Sequence, residues 1–226
     1  MDITYLLLIP AMLLAAWAQF KVSSSYKKYS GIRSLKGYTG ADVSRALLRE
    51  NGVNNVDVQP VAGQLTDHYD PSAKVIKLSQ GIYDSTSIAA LSVAAHETGH
   101  ALQHATGYSP LNIRSAIVPV ANISSKMAMP IFIAGMFLGN SGAILMNIGI
   151  ILFLGAVIFQ VVTLPVEFNA SKRAIAMLES GNYITKEEVK PAKSMLDAAA
   201  MTYVAAAFMS LAQLLRLILL SNRRRR

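Results

Sequence analysis

The 226-residue chain contains no cysteine, and that absence removes whole classes of protein. Disulfide-stapled scaffolds, thiolate-ligated zinc modules and thiol enzymes all need the residue. Charge is scarce as well: 15% of residues are charged, against roughly 25% in an ordinary soluble domain. A disordered chain would carry more charge and fewer apolar residues than the 53% found here. Acids are the scarcer sign, with 13 Asp and Glu against 21 Lys and Arg, a net charge of +8. A basic excess suits nucleic acid or membrane, and its distribution decides between them. No charged residue occurs over residues 3–20 or over residues 127–166. Soluble nucleic-acid binders do not contain such runs. The pattern therefore predicts an integral membrane protein, without a nucleic-acid partner, whose cations lie where apolar spans meet water.

Residues 1–20 read as a first transmembrane helix, with Pro10 tolerated inside it. The Met-Asp-Ile-Thr start lacks the cationic region of a cleaved signal peptide. Residues 21–115 read as a soluble α+β part. Thr39 caps an amphipathic helix that Asn51 and Gly52 end. Residues 56–61, 64–69 and 74–78 are strand candidates, and the turn chemistry of Asp70-Pro71-Ser72-Ala73 makes the last two a β-hairpin. A helix over about residues 86–105 follows, rich in Ala89, Ala90, Ser92, Ala94 and Ala95, as suits close approach from several sides. Residues 116–164 read as a membrane hairpin with its tip at residues 139–142. Its first arm carries Lys126, which must either face protein or snorkel to the interface. Residues 165–197 read as a helix-containing region, soluble and linker-like over residues 167–193, and residues 198–226 as a C-terminal membrane helix with a tail of Arg223, Arg224, Arg225 and Arg226. The fold class expected is an α+β integral membrane protein, mostly α-helical, with a small β-hairpin or sheet and about four membrane helices.

The chemistry concentrates in residues 96–100, His-Glu-Thr-Gly-His. Positions i and i+4 of a helix share a face, so His96 and His100 can bind one metal together, and Glu97 can reach a metal-activated water as general base. Gly99 lowers helix stability by roughly 1 kcal/mol relative to Ala, which makes sense if another backbone passes close by. Catalytic zinc usually takes three protein ligands. The third is not a histidine ten residues after the first, because that position is Thr106. The remaining donors are His68, His104 and the carboxylates. Among these Glu167 stands out, as the one acid between Glu97 and Glu179 and directly after a membrane span.

The three-part pattern of His96-Glu97-Thr98-Gly99-His100-Ala101-Leu102-Gln103-His104, Leu65-Thr66-Asp67-His68-Tyr69-Asp70-Pro71 upstream and Leu164-Pro165-Val166-Glu167-Phe168-Asn169-Ala170-Ser171 downstream resembles the YugP-type neutral zinc metallopeptidases, bacterial multi-pass membrane proteins. The resemblance covers nearly the whole chain. More distantly the chain is similar to HtpX-type membrane proteases, in which a Glu beyond a membrane hairpin is the third zinc ligand, and this maps onto Glu167. Those enzymes carry an Asp four residues after that Glu, where this chain has Ser171. The resemblance implies a gluzincin-like zinc metalloendopeptidase with a zincin-like active-site helix, Zn²⁺ on His96, His100 and Glu167, and a polypeptide substrate.

On this reading Glu97 takes a proton from a zinc-activated water and passes it to the leaving amine. The strand just before the active-site helix would pair with an extended substrate. His104, about 80° around the helix from His96, borders the metal face as a supporting or donor residue. His68 is a candidate for the oxyanion or substrate, with Tyr69, Tyr108 and Tyr183 as further donors. A non-catalytic zinc-binding membrane scaffold or chaperone-like protein keeps the metal but does not need Glu97. An intramembrane protease would need a later Asp-Gly, and Asp197 is followed by Ala198. Metal binding also constrains topology. His100 and Glu167 must lie on one side of the membrane, so the chain between them crosses an even number of times. Lys21, Lys27, Lys28, Arg33, Lys36, Arg114, Lys172 and Arg173 flank the spans on that side, which favours a cytoplasmic catalytic face. A crossing last helix would place the four terminal arginines outside, against that preference, so the alternative is a last helix that packs back without crossing; on either side the arginines suit anionic lipid headgroups. Thr202, Gln213 and Arg216 share a face of that helix, which calls for partners other than lipid.

Overall fold

The computed structural model describes residues 3–138 and 142–224; most of the expected hairpin tip, residues 139–141, and the last two arginines lie outside the described residues. A short 3-10 segment (Ile3–Leu8) leads into helix α1 (Ile9–Ser30). Helix α2 (Gly40–Glu50), strands β1 (Asp57–Val61), β2 (His68–Asp70) and β3 (Val75–Ser79), and helices α3 (Gln80–Tyr83), α4 (Ile88–Ala105), α5 (Ser109–Phe137), α6 (Ala143–Ser180) and α7 (Lys186–Arg224) follow. The fold class is therefore as expected, helical with a small sheet. Four of the helices (Ile3–Ser30, Ser109–Phe137, Ala143–Ser180 and Lys186–Arg223) are long and apolar enough to cross a membrane.

Charge marks where the apolar runs stop, not where the helices stop. Helix α1 continues past Phe20 to Ser30, and α6 runs through Pro165 to Ser180. Residues 165–197, read as a helix-containing, partly linker-like region, are mostly helix, the end of α6 and the start of α7. Asn182 takes the left-handed conformation (φ 56°) that stops α6. Buried Glu188 helps start α7, accepting from the backbone N–H of Thr185 and Leu35 at 2.8 Å each and from the Ser34 hydroxyl at 3.1 Å. Tyr183 donates to the Glu50 carboxylate.

The chain divides into two compact units. One comprises Met1–Ala18, Asn112–Pro165 and Thr202–Arg226, the other Gln19–Leu111 and Val166–Met201. In the first, Phe132, Met146 and Leu217 form a buried cluster. Gly149 permits the close approach there: an added Cβ would stand 2.8 Å from Phe132 Cβ and 2.9 Å from the Ala128 carbonyl oxygen. The shared face of α7 does find protein partners, with Gln213 Nε2 at 3.8 Å from Met129 Sδ and the Arg216 guanidinium 3.8 Å over the Tyr5 ring. Lys126 stands exposed on α5.

The second unit is an α+β body. Thr39 and Asp42 form a reciprocal capping box on α2. Ser44 of α2 donates to the Ala94 carbonyl of α4 at 3.1 Å, and Thr98 donates to the same carbonyl at 2.8 Å with its hydroxyl oxygen 3.2 Å from that of Ser44. Ala89, Ala90, Ala94 and Ala95 are fully buried, so α4 is closely approached, as its small residues predict. The sheet order is β1-β3-β2, with β1 parallel and β2 antiparallel to β3. The expected hairpin is β2–β3, but its second strand lies at the centre. One side of β3 is taken by β1. On the other, Lys77 pairs with His68, and the Ser79 N–H donates to Asp67 Oδ1 at 2.7 Å. Among the described residues, β3, the strand just before α4, is thus flanked on both sides, so the pairing expected of it with an extended chain is not available, and the edge beside it belongs to β2. The parallel partner was not legible because sequence alternation does not reveal which strand becomes central.

Candidate metal centre

Helix α4 and residues 166–180 of α6 carry the site. Along α6, Val166, Ala170, Ala174 and Leu178 recur every four residues and are fully buried. Gly99 on α4 meets this stripe. A Cβ built there would lie 2.8 Å from the Ala170 carbonyl oxygen and 3.2 Å from its Cα. The glycine inside the motif thus admits a neighbouring backbone, which brings α6 close enough for Glu167 to reach the histidines.

His96 Nε2 lies 3.3 Å and His100 Nε2 3.6 Å from Glu167 Oε2. One ligand atom from each residue lies within 4.8 Å of the others. The two rings stand edge to face, with centroids 4.7 Å apart. Tetrahedral zinc with bonds of about 2.0–2.2 Å places neighbouring donors about 3.4 Å apart, close to the two histidine–carboxylate separations. The outer ring nitrogens are engaged elsewhere, His96 Nδ1 at 3.2 Å from Ser171 Oγ and His100 Nδ1 at 3.0 Å from Gln103 Oε1. That arrangement leaves both Nε2 atoms for a metal. The serine that replaces the expected Asp does reach the first histidine.

Glu167 is almost wholly buried, at 2% exposure. Burial by itself would lower the His100 pKa, but the hydrogen bond and charge of Glu167 and the charge of Glu97 together raise it above the ordinary 6.5. Glu97 is buried on α4 and near enough for its charge to act on His100.

The other candidates are placed apart from this group. His68 is exposed at the start of β2, with Nδ1 2.7 Å from the Thr66 carbonyl in its own loop. His104 is exposed on the last turn of α4 and pairs through Nδ1 with the Tyr69 hydroxyl at 2.8 Å. That pair borders a cavity of about 250 Å³ that Val53, Val56, Lys74 and Ala101 also line. Burial and the Asp70 charge raise the Tyr69 phenol, keeping it a neutral donor. Tyr183 belongs to the Glu50 contact instead, and Tyr108 lies under Arg173, 5.9 Å from guanidinium carbon to ring centroid.

Sequence reasoning missed Gln103. It is fully buried, and its Nε2 donates to the Val166 carbonyl at 2.8 Å and to Asn169 Oδ1 at 3.0 Å. Helix arithmetic held the signal: seven residues from His96, Gln103 lies about 20° from it around the axis.

A family model described as "Putative neutral zinc metallopeptidase" matches residues 4–222 of the chain. A protein of Bacillus subtilis (strain 168) named "Putative membrane protease YugP" is 49% identical over 214 residues, which covers 95% of this chain and 94% of that protein. No solved structure matches the chain.

Proposed function

Since the chain belongs to the neutral zinc metallopeptidase family, we propose that it is a membrane-bound, gluzincin-like endopeptidase that holds Zn²⁺ on His96, His100 and Glu167 and uses Glu97 as general base. The observation that carries the reading is the convergence of two imidazole Nε2 atoms on one buried carboxylate oxygen at 3.3 and 3.6 Å. Two neutral imidazoles and a carboxylate are a donor set suited to zinc. Bound there, the ion supplies Lewis-acid polarisation of the scissile carbonyl and lowers the pKa of a water to about 7.

The chain's own residues do the rest. Ser171 and Gln103 orient the two rings. Glu97, one residue after the first ligand and buried at the same face, accepts the proton of the attacking water on its carboxylate. It then delivers that proton to the leaving amine nitrogen. The polypeptide lies beside the exposed edge of β2, where main-chain pairing tolerates varied side chains. The Tyr69–His104 pair, which borders a cavity next to Ala101, offers a neutral donor to substrate. His68, on the same strand, contacts substrate rather than metal. The catalytic side faces the cytoplasm, supported by the basic residues that flank the spans on that side. The terminal arginines meet anionic headgroups on the other.

Replacing Glu97 by Gln tests the reading. The variant should bind zinc as wild type does and lose peptide hydrolysis by several orders of magnitude. Retained hydrolysis by E97Q in a peptide-library assay would refute the assigned base. Protease accessibility of the terminal arginines in sealed, inside-out vesicles tests the side: they should be protected there.

A further inference from the structure

The cavity of about 250 Å³ that the Tyr69–His104 pair borders lies on the same flank of α4 as Glu97. We propose that it receives a carboxylate of the polypeptide substrate, about two to four residues from the bond that is cut. This rests on the peptidase reading above and adds the chemical class that the enzyme selects. Helix geometry gives the placement. Counted from Glu97, Ala101 lies about 40° around the axis and about 6 Å along it, His104 about 20° and about 10 Å, and Ala105 about 80° and about 12 Å. All three line the cavity. Gly99 and Gln103, where α6 packs, lie about 120° or more from Glu97 on the other flank. The flank that carries the base is therefore the one left for substrate. The cavity stands about 6–12 Å along it, which an extended chain covers in about two to four residues.

Size limits the ligand first. Sites that enclose a small molecule hold roughly 300–1,000 Å³, so a cavity of about 250 Å³ suits one side chain or one chain end. Polarity then decides its kind. Val53, Val56 and Ala101 give apolar walls, Lys74 supplies a positive charge, and among the described residues no acid lines the cavity. Tyr69 and His104 add a donor whichever way their 2.8 Å hydrogen bond runs. A neutral phenol and a neutral imidazole hold two polar hydrogens between them; one is used in that bond and one is left to donate. A cation, a spare donor and no anion fit a carboxylate, and the apolar walls take the carbons that precede it. The backbone of Lys74 is also fixed. Its φ of 52° is left-handed, a conformation uncommon for a residue with a side chain. The turn that imposes it is tied by Asp70 Oδ1, which accepts from the N–H of Ser72 at 2.9 Å and of Ala73 at 3.0 Å. The Asp57 N–H donates to the Lys74 carbonyl at 3.1 Å.

The test uses the full-length, zinc-loaded protein in detergent with two peptide libraries, one with free C-termini and one amidated, and reads cleavage sites by mass spectrometry. Wild type should select a carboxylate at one position about two to four residues from the cut bond. Asp and Glu enrichment that survives amidation assigns the carboxylate to a side chain. A requirement for a free C-terminus at that distance assigns it to the chain end. For two peptides that differ only by that carboxylate and its amide, wild type should favour the acid about tenfold or more in kcat/KM. Lys74→Gly suits the left-handed turn and should bring the ratio to about one. Lys74→Glu should favour Lys or Arg at that position instead. Cleavage by wild type without preference for a carboxylate at any such position would overturn the inference and leave the peptidase reading standing. So would a folded Lys74→Gly protein that keeps the wild-type ratio. No cleavage of either library by zinc-loaded wild type would refute the peptidase reading itself, and the subsite with it.

Discussion

Replacing Gly99 by alanine adds one methyl group where α6 passes α4, and two effects of opposite sign follow. The helix gains roughly 1 kcal/mol from the better helix former. Against this, the new Cβ would sit 2.8 Å from the Ala170 carbonyl oxygen and 3.2 Å from its Cα. Both neighbours are backbone and cannot rotate away. Restoring ordinary carbon–oxygen contact of roughly 3.4 Å requires the helices to separate by about 0.6 Å, an overpacking strain of about 1–3 kcal/mol. Net stability should change by no more than about 2 kcal/mol. Metal binding is less forgiving. Glu167 lies three residues from Ala170 on the same helix, so the carboxylate moves away from His96 and His100 with it. Zinc–ligand distances tolerate only about 0.2 Å, so affinity should fall at least about tenfold, equivalent to about 1.4 kcal/mol. Two measurements separate the effects: thermal unfolding of the metal-free protein, and zinc affinity by competition with a chromophoric chelator. A G99A protein that binds zinc like wild type would show that this contact does not set the donor spacing.

Three further outcomes are expected. Glu167→Ala should abolish measurable zinc binding while leaving the metal-free protein folded; equilibrium dialysis with metal analysis reads this, and wild-type zinc content would remove Glu167 from the ligand set. Tyr183→Phe should lower stability by about 1.5 kcal/mol, the low end for a hydrogen bond to a charged group because Glu50 is exposed. Burial and Glu50 push the Tyr183 pKa up to about 12 from 10.0. A raised folded-state pKa gives stability that is present below pH 10 and lost between 10 and 12, so the wild-type alkaline loss should flatten in the phenylalanine variant when denaturation is followed against pH. The pH dependence of zinc affinity follows from His100. Its pKa in the metal-free protein is raised above 6.5, so zinc must already displace a proton somewhat above that pH. Affinity should fall as pH drops, starting above 6.5. The metal-free protein should lose the stability contributed by His100⁺ as pH rises through the folded-state value, and an affinity flat down to pH 6 would contradict this.

The legible parts of the fold were those written in local chemistry. Uncharged runs announced the apolar helices, and Thr39 with Asp42 announced the start of α2. The motif at residues 96–100 showed through helical spacing alone that His96 and His100 share a face. Less legible was how far each helix extends, since Lys27, Lys172 and Lys190 are as compatible with helix as with linker. The central place of β3 could not be read either, because its parallel partner β1 is separated from it by β2. His104 has the angular position of a residue at the edge of the metal face. Its actual partner, Tyr69, comes from a strand whose docking against α4 no spacing rule reports.

The amino-acid order by itself determined that an apolar chain carries a two-histidine, one-glutamate helix. It also excluded a thiolate as a third ligand, since there is no cysteine, and a histidine ten residues after the first, since Thr106 stands there, while leaving His68, His104 and the carboxylates open. Only the tertiary structure decided what completes the site. Glu167 is 67 positions from His100 in the chain, and its oxygen stands 3.6 Å from the ring nitrogen because a glycine on one helix meets the backbone of another. Gln103 was one more polar residue on a helix until that packing buried it between His100, Val166 and Asn169. Covalent order sets which groups a helix presents on one face. The distance between faces is set by the side chains that are missing, here the Cβ that Gly99 does not have.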